Sequence, residues 1–134
     1  MNKKLVDSLL PDAVQVLRDT EIAKNGKIDK AFRGQISAFG ATVSTGNLLA
    51  AAAFFNNQGG AKVKRDSLTN AINLLLERQK LAETGETLFD TIRQAGSRRK
   101  IKEQVLAGAV ALKLAMNLYD MGNGAKNSGE AETD

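Results

Sequence analysis

The chain has 134 residues, enough for one domain that buries about two-thirds of the surface its unfolded form exposes. It contains no cysteine and no histidine, which excludes a disulfide framework, a zinc cluster and any Ser-His or Cys-His nucleophile pair. Net charge is +4, but Gly122–Asp134 hold −2 of their own, leaving +6 on residues 1–121 and favouring polyanionic partners.

Helical periodicity dominates, strand signals are nearly absent and there is a single proline. The first helix is expected from Leu5 or Ser8 to Lys24, with Val6, Leu10, Val14 and Leu17 along one face beside Leu9 and Ala13. Ser8 as N-cap would place Pro11 in the first turn, where its missing N–H costs little. Asn25-Gly26 is read as the stop. The basic Met1–Lys4 is not followed by an apolar stretch, because Asp7 and Pro11 interrupt it; no secretory leader is expected, and a cytoplasmic location follows.

Asp29 is a suitable N-cap for a second helix reaching about Ser44, with Phe32, Ile36, Phe39 and Val43 at helical spacing. Gly40 inside it costs roughly 1 kcal/mol unless a neighbouring backbone packs there. Thr45-Gly46-Asn47 breaks the helix before Leu48–Asn56. From Gly34 to Ala61 no residue is charged for 28 positions, which predicts a buried centre. Its longest apolar run is eight residues, against about 20 for a membrane span, so no membrane partner is expected.

Gln58-Gly59-Gly60 reads as a loop and lacks the spacing of a phosphate-binding P-loop. A fourth helix is predicted from Asp66 or Ser67 to Glu83, and a short one from Thr87 to Ala95. The last starts at Gly96-Ser97 and reaches Met121, with Ile101, Val105, Gly108, Ala109, Leu112, Met116 and Tyr119 inward. The expected fold is therefore all-α: a compact single-domain bundle of five to six helices over residues 1–121, with a disordered acidic tail at 122–134.

Cations gather where helix dipoles disfavour them. Lys27, Lys30 and Arg33 flank the second helix start, Lys62, Lys64 and Arg65 precede the fourth, and Arg98, Arg99, Lys100 and Lys102 open the last. Free N–H groups with added guanidinium or ammonium groups suit phosphate. The plainer reading is a solvated surface, with Glu103, Asp90 or Glu86 pairing some of these bases. Phe32 and Tyr119 are the only aromatics that could stack on bases, and core packing suits both, so contact should be with backbone phosphates rather than sequence-specific.

The segment FRGQISAFGATVSTGNLLAAAAFF, taken with AGAVALKLAMNLYDM, resembles the small subunit of the type III-B CRISPR effector complex, the Cmr small-subunit family. The two blocks cover roughly a third of the chain. Two departures stand out: Gly46-Asn47-Leu48 replaces the family's Asn-Gly-Leu order, and Asn117 replaces a basic residue. The resemblance implies an all-helical, non-catalytic subunit that packs beside copies of itself and other effector subunits, along guide and target RNA. It implies no catalytic residue, metal, cofactor or small-molecule substrate. It adds Lys113, within Ala-Leu-Lys-Leu-Ala, to the backbone-contact candidates Lys30, Arg33, Lys64, Arg65, Arg98, Arg99, Lys100 and Lys102. Rival readings are a small helical DNA-binding regulator and a helical protein–protein adaptor.

Overall fold

Asn2, not Ser8, starts the first helix. A computed structural model describes residues 2–56 and 65–122. Helix α1 spans Lys3–Asp19, and the Asn2 side chain accepts from the Leu5 N–H at 3.1 Å. The earlier start buries Val6 and Leu9 in the core, an apolar gain that outweighs the proline now lying inside the helix on an exposed position.

The helix also ends sooner than expected. Glu21 adopts a left-handed conformation with φ 62° and turns the chain. Asn25 and Gly26 are then no helix stop but the tight turn of a β-hairpin. Their φ values of 54° and 75° are the paired positive angles that a two-residue turn of this hand requires. Strand β1, Ala23–Lys24, pairs antiparallel with β2, Lys27–Asp29. A third strand, β3, Asp120–Gly122, runs parallel to β2, with Lys27 opposite Asp120. Strand is accordingly scarce, as the weak strand signals predict: two- and three-residue strands are too short to show alternation.

Helix α2, Lys30–Thr45, is capped by Asp29, whose carboxylate accepts from the Ala31 N–H at 2.9 Å. Gly46 follows, where an added Cβ would lie 3.0 Å from the Thr42 carbonyl oxygen. Asn47 caps α3, Leu48–Phe55, by accepting from the Ala50 N–H; the Gly-Asn-Leu order thus supplies a helix stop and a helix cap. The described part of the uncharged segment is only half buried. Ile36, Phe39, Val43, Leu48, Ala51, Ala52 and Phe55 face the core, while Ser37, Ala38, Ala41, Thr42, Ser44 and Thr45 face outward.

Helix α4, Arg65–Arg78, stops short of Glu83 because Lys80 turns left-handed at φ 62°. The Leu81 N–H then reaches the Leu76 carbonyl at 2.8 Å, and the Lys80 N–H reaches Glu77 at 2.9 Å, a Schellman closure built on lysine. Helix α5, Leu88–Gln94, opens with a capping box between Thr87 and Asp90. The Thr87 backbone N–H, then its hydroxyl, hold the Asp90 carboxyl below its usual value, with Arg93 helping. Buried Asn73 ties α4 to the loop before α5: its amide donates to the Glu86 carbonyl at 2.8 Å and its oxygen accepts from the Thr91 hydroxyl at 2.7 Å.

Helix α6, Arg98–Met116, is capped by Ser97 and gives way to β3 rather than continuing to Met121. It is the axis of the fold, packed against α1, α2 and α4. Val105, Ala111, Leu112, Ala115 and Met116 are inaccessible to solvent. The fold is all-α, with six helices and one small sheet among the described residues. The loop at Gln58–Gly60, the side chain of Arg65, all of Lys62 and Lys64, and the tail from residue 123 lie outside the described residues.

Two of the helical glycines, Gly108 and Gly40, sit in different surroundings. A Cβ on Gly108 would meet Leu75 Cδ1 at 3.5 Å and Ile72 Cγ2 at 3.8 Å, so α6 approaches α4 closely there. Gly40 has nothing within 4 Å of that point. Gly40→Ala should therefore raise stability by about 1 kcal/mol, seen as a gain of a few degrees in Tm with unchanged helix content.

Candidate nucleic-acid interface

An α-helix turns about 100° per residue, so the adjacent cations at the start of α6 diverge. Arg99 and Lys102 are three positions apart and share a face. Arg98 lies within about 40° of Lys102, whereas Lys100 lies about 160° from it, round the helix. Lys113, eleven positions after Lys102, returns to within about 20° of the same line. Between them run Leu106 and Val110, both half-buried, and the exposed Leu114 follows Lys113.

Helix α2 lies antiparallel along this face. Its Ser44 lines a cavity with Arg99, Lys102, Glu103, Leu106 and Val110, near the start of α6. At the other end Arg33 Nη1 donates to Asn117 Oδ1, at the C-cap of α6. Asn117 thus holds a guanidinium from α2, which places a positive charge at that end of α6. Arg99 to Lys113 spans about 21 Å of helix axis. Lys30, the first residue of α2, is exposed beside the hairpin, three positions before Arg33.

Ion pairing avoids this face. Among the described residues the pairs are Lys24–Glu21, Arg78–Asp12, Arg78–Asp19 and Arg93–Asp90. None involves Lys30, Arg33, Arg98, Arg99, Lys100, Lys102 or Lys113. Of the carboxylates expected to neutralise them, Asp90 and Glu86 are engaged elsewhere, while Glu103 lines the same cavity as Arg99 and Lys102 but forms no ion pair with either. Asp90 holds Arg93, Glu86 accepts from the Glu83 N–H, and Glu103 accepts a 3.4 Å bond from Asn2. The first turns of α2 and α6 contain no acidic residue, while those of α4 and α5 carry Asp66 and Asp90.

The aromatics do not form a stacking platform. Tyr119 is half-buried; its hydroxyl donates to the Val14 carbonyl at 3.2 Å and accepts from Arg18 Nε at 3.2 Å. Phe32 packs against the core. Phe54 is 57% exposed, edge-on to Phe55; no periodicity marks which side of an all-apolar eight-residue helix faces out. Among the described residues no cluster of three metal-ligating side chains occurs, and no helix is long and apolar enough to cross a membrane. No protein-family model, curated protein or solved structure matches the chain.

Proposed function

We propose that this chain is a non-catalytic, RNA-binding subunit of an RNA-guided ribonucleoprotein, of the kind found as the small subunit of type III-B CRISPR effector complexes. It grips the sugar-phosphate backbone of guide and target strands in the cytoplasm, packed beside other effector subunits and further copies of itself. The observation that carries this reading is the row of cations on the α2–α6 face, Arg33, Arg99, Lys102 and Lys113, none of which is in an ion pair among the described residues. Cations left unpaired along some 20 Å suit regularly spaced phosphates. The lack of exposed stacking aromatics there suits contact indifferent to base identity.

Replacing Arg33, Arg99, Lys102 and Lys113 together by Gln should lower RNA affinity at least tenfold, almost equally for unrelated sequences. The slope of log affinity against log salt should flatten by roughly 0.7 to 0.9 for each phosphate no longer neutralised. The same change at Lys24, Arg78 and Arg93, which are already paired, serves as control. Equal affinity for the two variants overturns the reading. Recovery of short guide RNAs with a multi-subunit particle from the native cell would test the assembly directly.

A second reading, a helical adaptor that binds protein alone, draws support from the outward face of α2, where Ser37, Ala38, Ala41 and Thr45 expose only small uncharged groups. Salt-insensitive capture of a protein partner, with no RNA, would favour it. A DNA regulator has less support, since α6, the longest of the described helices and the one with the densest basic start, is buried on about half of its circumference.

A further inference from the structure

The cavity beside the first half of α6 has a volume of about 630 Å³, within the range of small-ligand sites. Along one helix face it presents three chemistries in order. Arg99 and Lys102 come first, Glu103 follows, and Leu106, Ala107 and Val110 form an apolar wall beyond.

A simple anion matches the cations but meets the Glu103 carboxylate. That carboxylate is in no ion pair among the described residues, and its one hydrogen bond is the long one from Asn2. A fatty acid matches the cations and the wall, and meets the same repulsion. The order cation, acceptor, apolar wall fits a molecule whose anionic group, donor hydroxyls and flat ring follow one another.

We propose that this cavity binds one ribonucleotide. Its phosphate sits on Arg99 and Lys102, its ribose hydroxyls donate to Glu103, and its base lies against Leu106 and Val110. At about 1.5 Å of rise per residue, the centre of the apolar wall lies about 11 Å along the axis from the cation pair, the scale of a nucleoside monophosphate. A carboxylate accepting from ribose hydroxyls is the means by which dinucleotide folds read the sugar, and the 2′-OH is what separates RNA from DNA. The nucleotide is either free in solution or one unstacked residue of a strand on the basic face; only the strand source rests on the RNA reading above.

The test uses the full chain with labelled Leu and Val methyls, followed by NMR. It is titrated with AMP, GMP, CMP and UMP, with 2′-deoxyAMP, with inorganic phosphate and with a ribo-tetranucleotide. A ribonucleotide or the tetranucleotide should shift the Leu106 and Val110 methyls, and phosphate alone should not. 2′-DeoxyAMP should bind about tenfold more weakly than AMP, the size of one hydrogen bond to a charged group. Glu103→Gln should erase that difference by weakening AMP. Tetranucleotide binding at concentrations well below those of any mononucleotide assigns the strand as source, and equal binding assigns the free nucleotide. Methyls that stay silent with every probe, or equal affinity for AMP and 2′-deoxyAMP, overturn the proposal. If duplex RNA still binds with its salt slope while the methyls stay silent, only the cavity assignment falls; if nothing binds, both fall.

Discussion

Phe39→Ala lowers the stability of the fold by about 4 kcal/mol, a value in the range for emptying a buried phenylalanine site. Phe39 is fully buried on the inner side of α2, and its ring meets that of Phe55 from α3 edge-on, with centroids 5.3 Å apart and planes at 86°. The loss therefore combines transfer of the ring, an unfilled cavity and an aromatic pair. Against a total of some 5 to 15 kcal/mol for a domain of ordinary stability, this is a large fraction. Urea titration should show a lower midpoint with an unchanged slope, and Tm should fall by about 15 °C. Phe54→Ala is the matched control. Its ring touches the same Phe55 at 5.3 Å but is 57% exposed, so its truncation should cost about 1 kcal/mol or less. Equal losses at the two positions would show that α2 and α3 do not meet as described.

The second large effect has the opposite sign. Pro11→Ala should raise stability by about 2 kcal/mol. A proline inside a helix is roughly 3 kcal/mol worse than alanine, and it returns part of that by restricting the unfolded chain. The residue is exposed, so no packing is forfeited. Alanine would restore the N–H that a continuous helix from Lys3 directs at the Asp7 carbonyl. The experiment also discriminates between two helix starts. Had the helix begun after Ser8, Pro11 would lie in the first turn and its replacement would change Tm little or lower it. A rise of about 7 °C fits the Asn2 cap.

Much of the helical scaffold was legible from residue order because it rests on local chemistry. Asp29, Thr87 and Ser97 cap where side-chain oxygens precede apolar periodicity, and Ile101, Val105, Leu112 and Met116 face inward at the expected spacing. The strands were not legible as strands. Asn25-Gly26 is a strong hairpin signal, but the flanking strands are too short to compete with the apolar stripe running in from α1. The uncharged stretch misled for a different reason. Alanine, serine, threonine and glycine are compatible with core and surface alike, so lack of charge in α2 did not reveal that half of it faces out. At the interface, composition identified the cations but not their directions. Five neighbouring letters, Arg98 to Lys102, spread around a helix, while Arg33 joins the face from another helix through Asn117. That convergence is a tertiary fact with no local signature.

The three-residue strand at 120–122 has a consequence for how the molecule is made. Lys27 and Asp120 face each other across 93 positions of chain, so this edge closes only once the residues that follow α6 have been made. The local hairpin forms early, on a microsecond scale, and then waits with one edge open. That open edge carries Lys27 and Asp29, charges that discourage pairing with a stranger's strand. Because α1, α2 and α4 all pack on α6, the last helix among the described residues, α1 and α2 gain much of their core only when residues 98–116 arrive. Closing the core is thus a non-local event, completed when α6 docks on α1, α2 and α4.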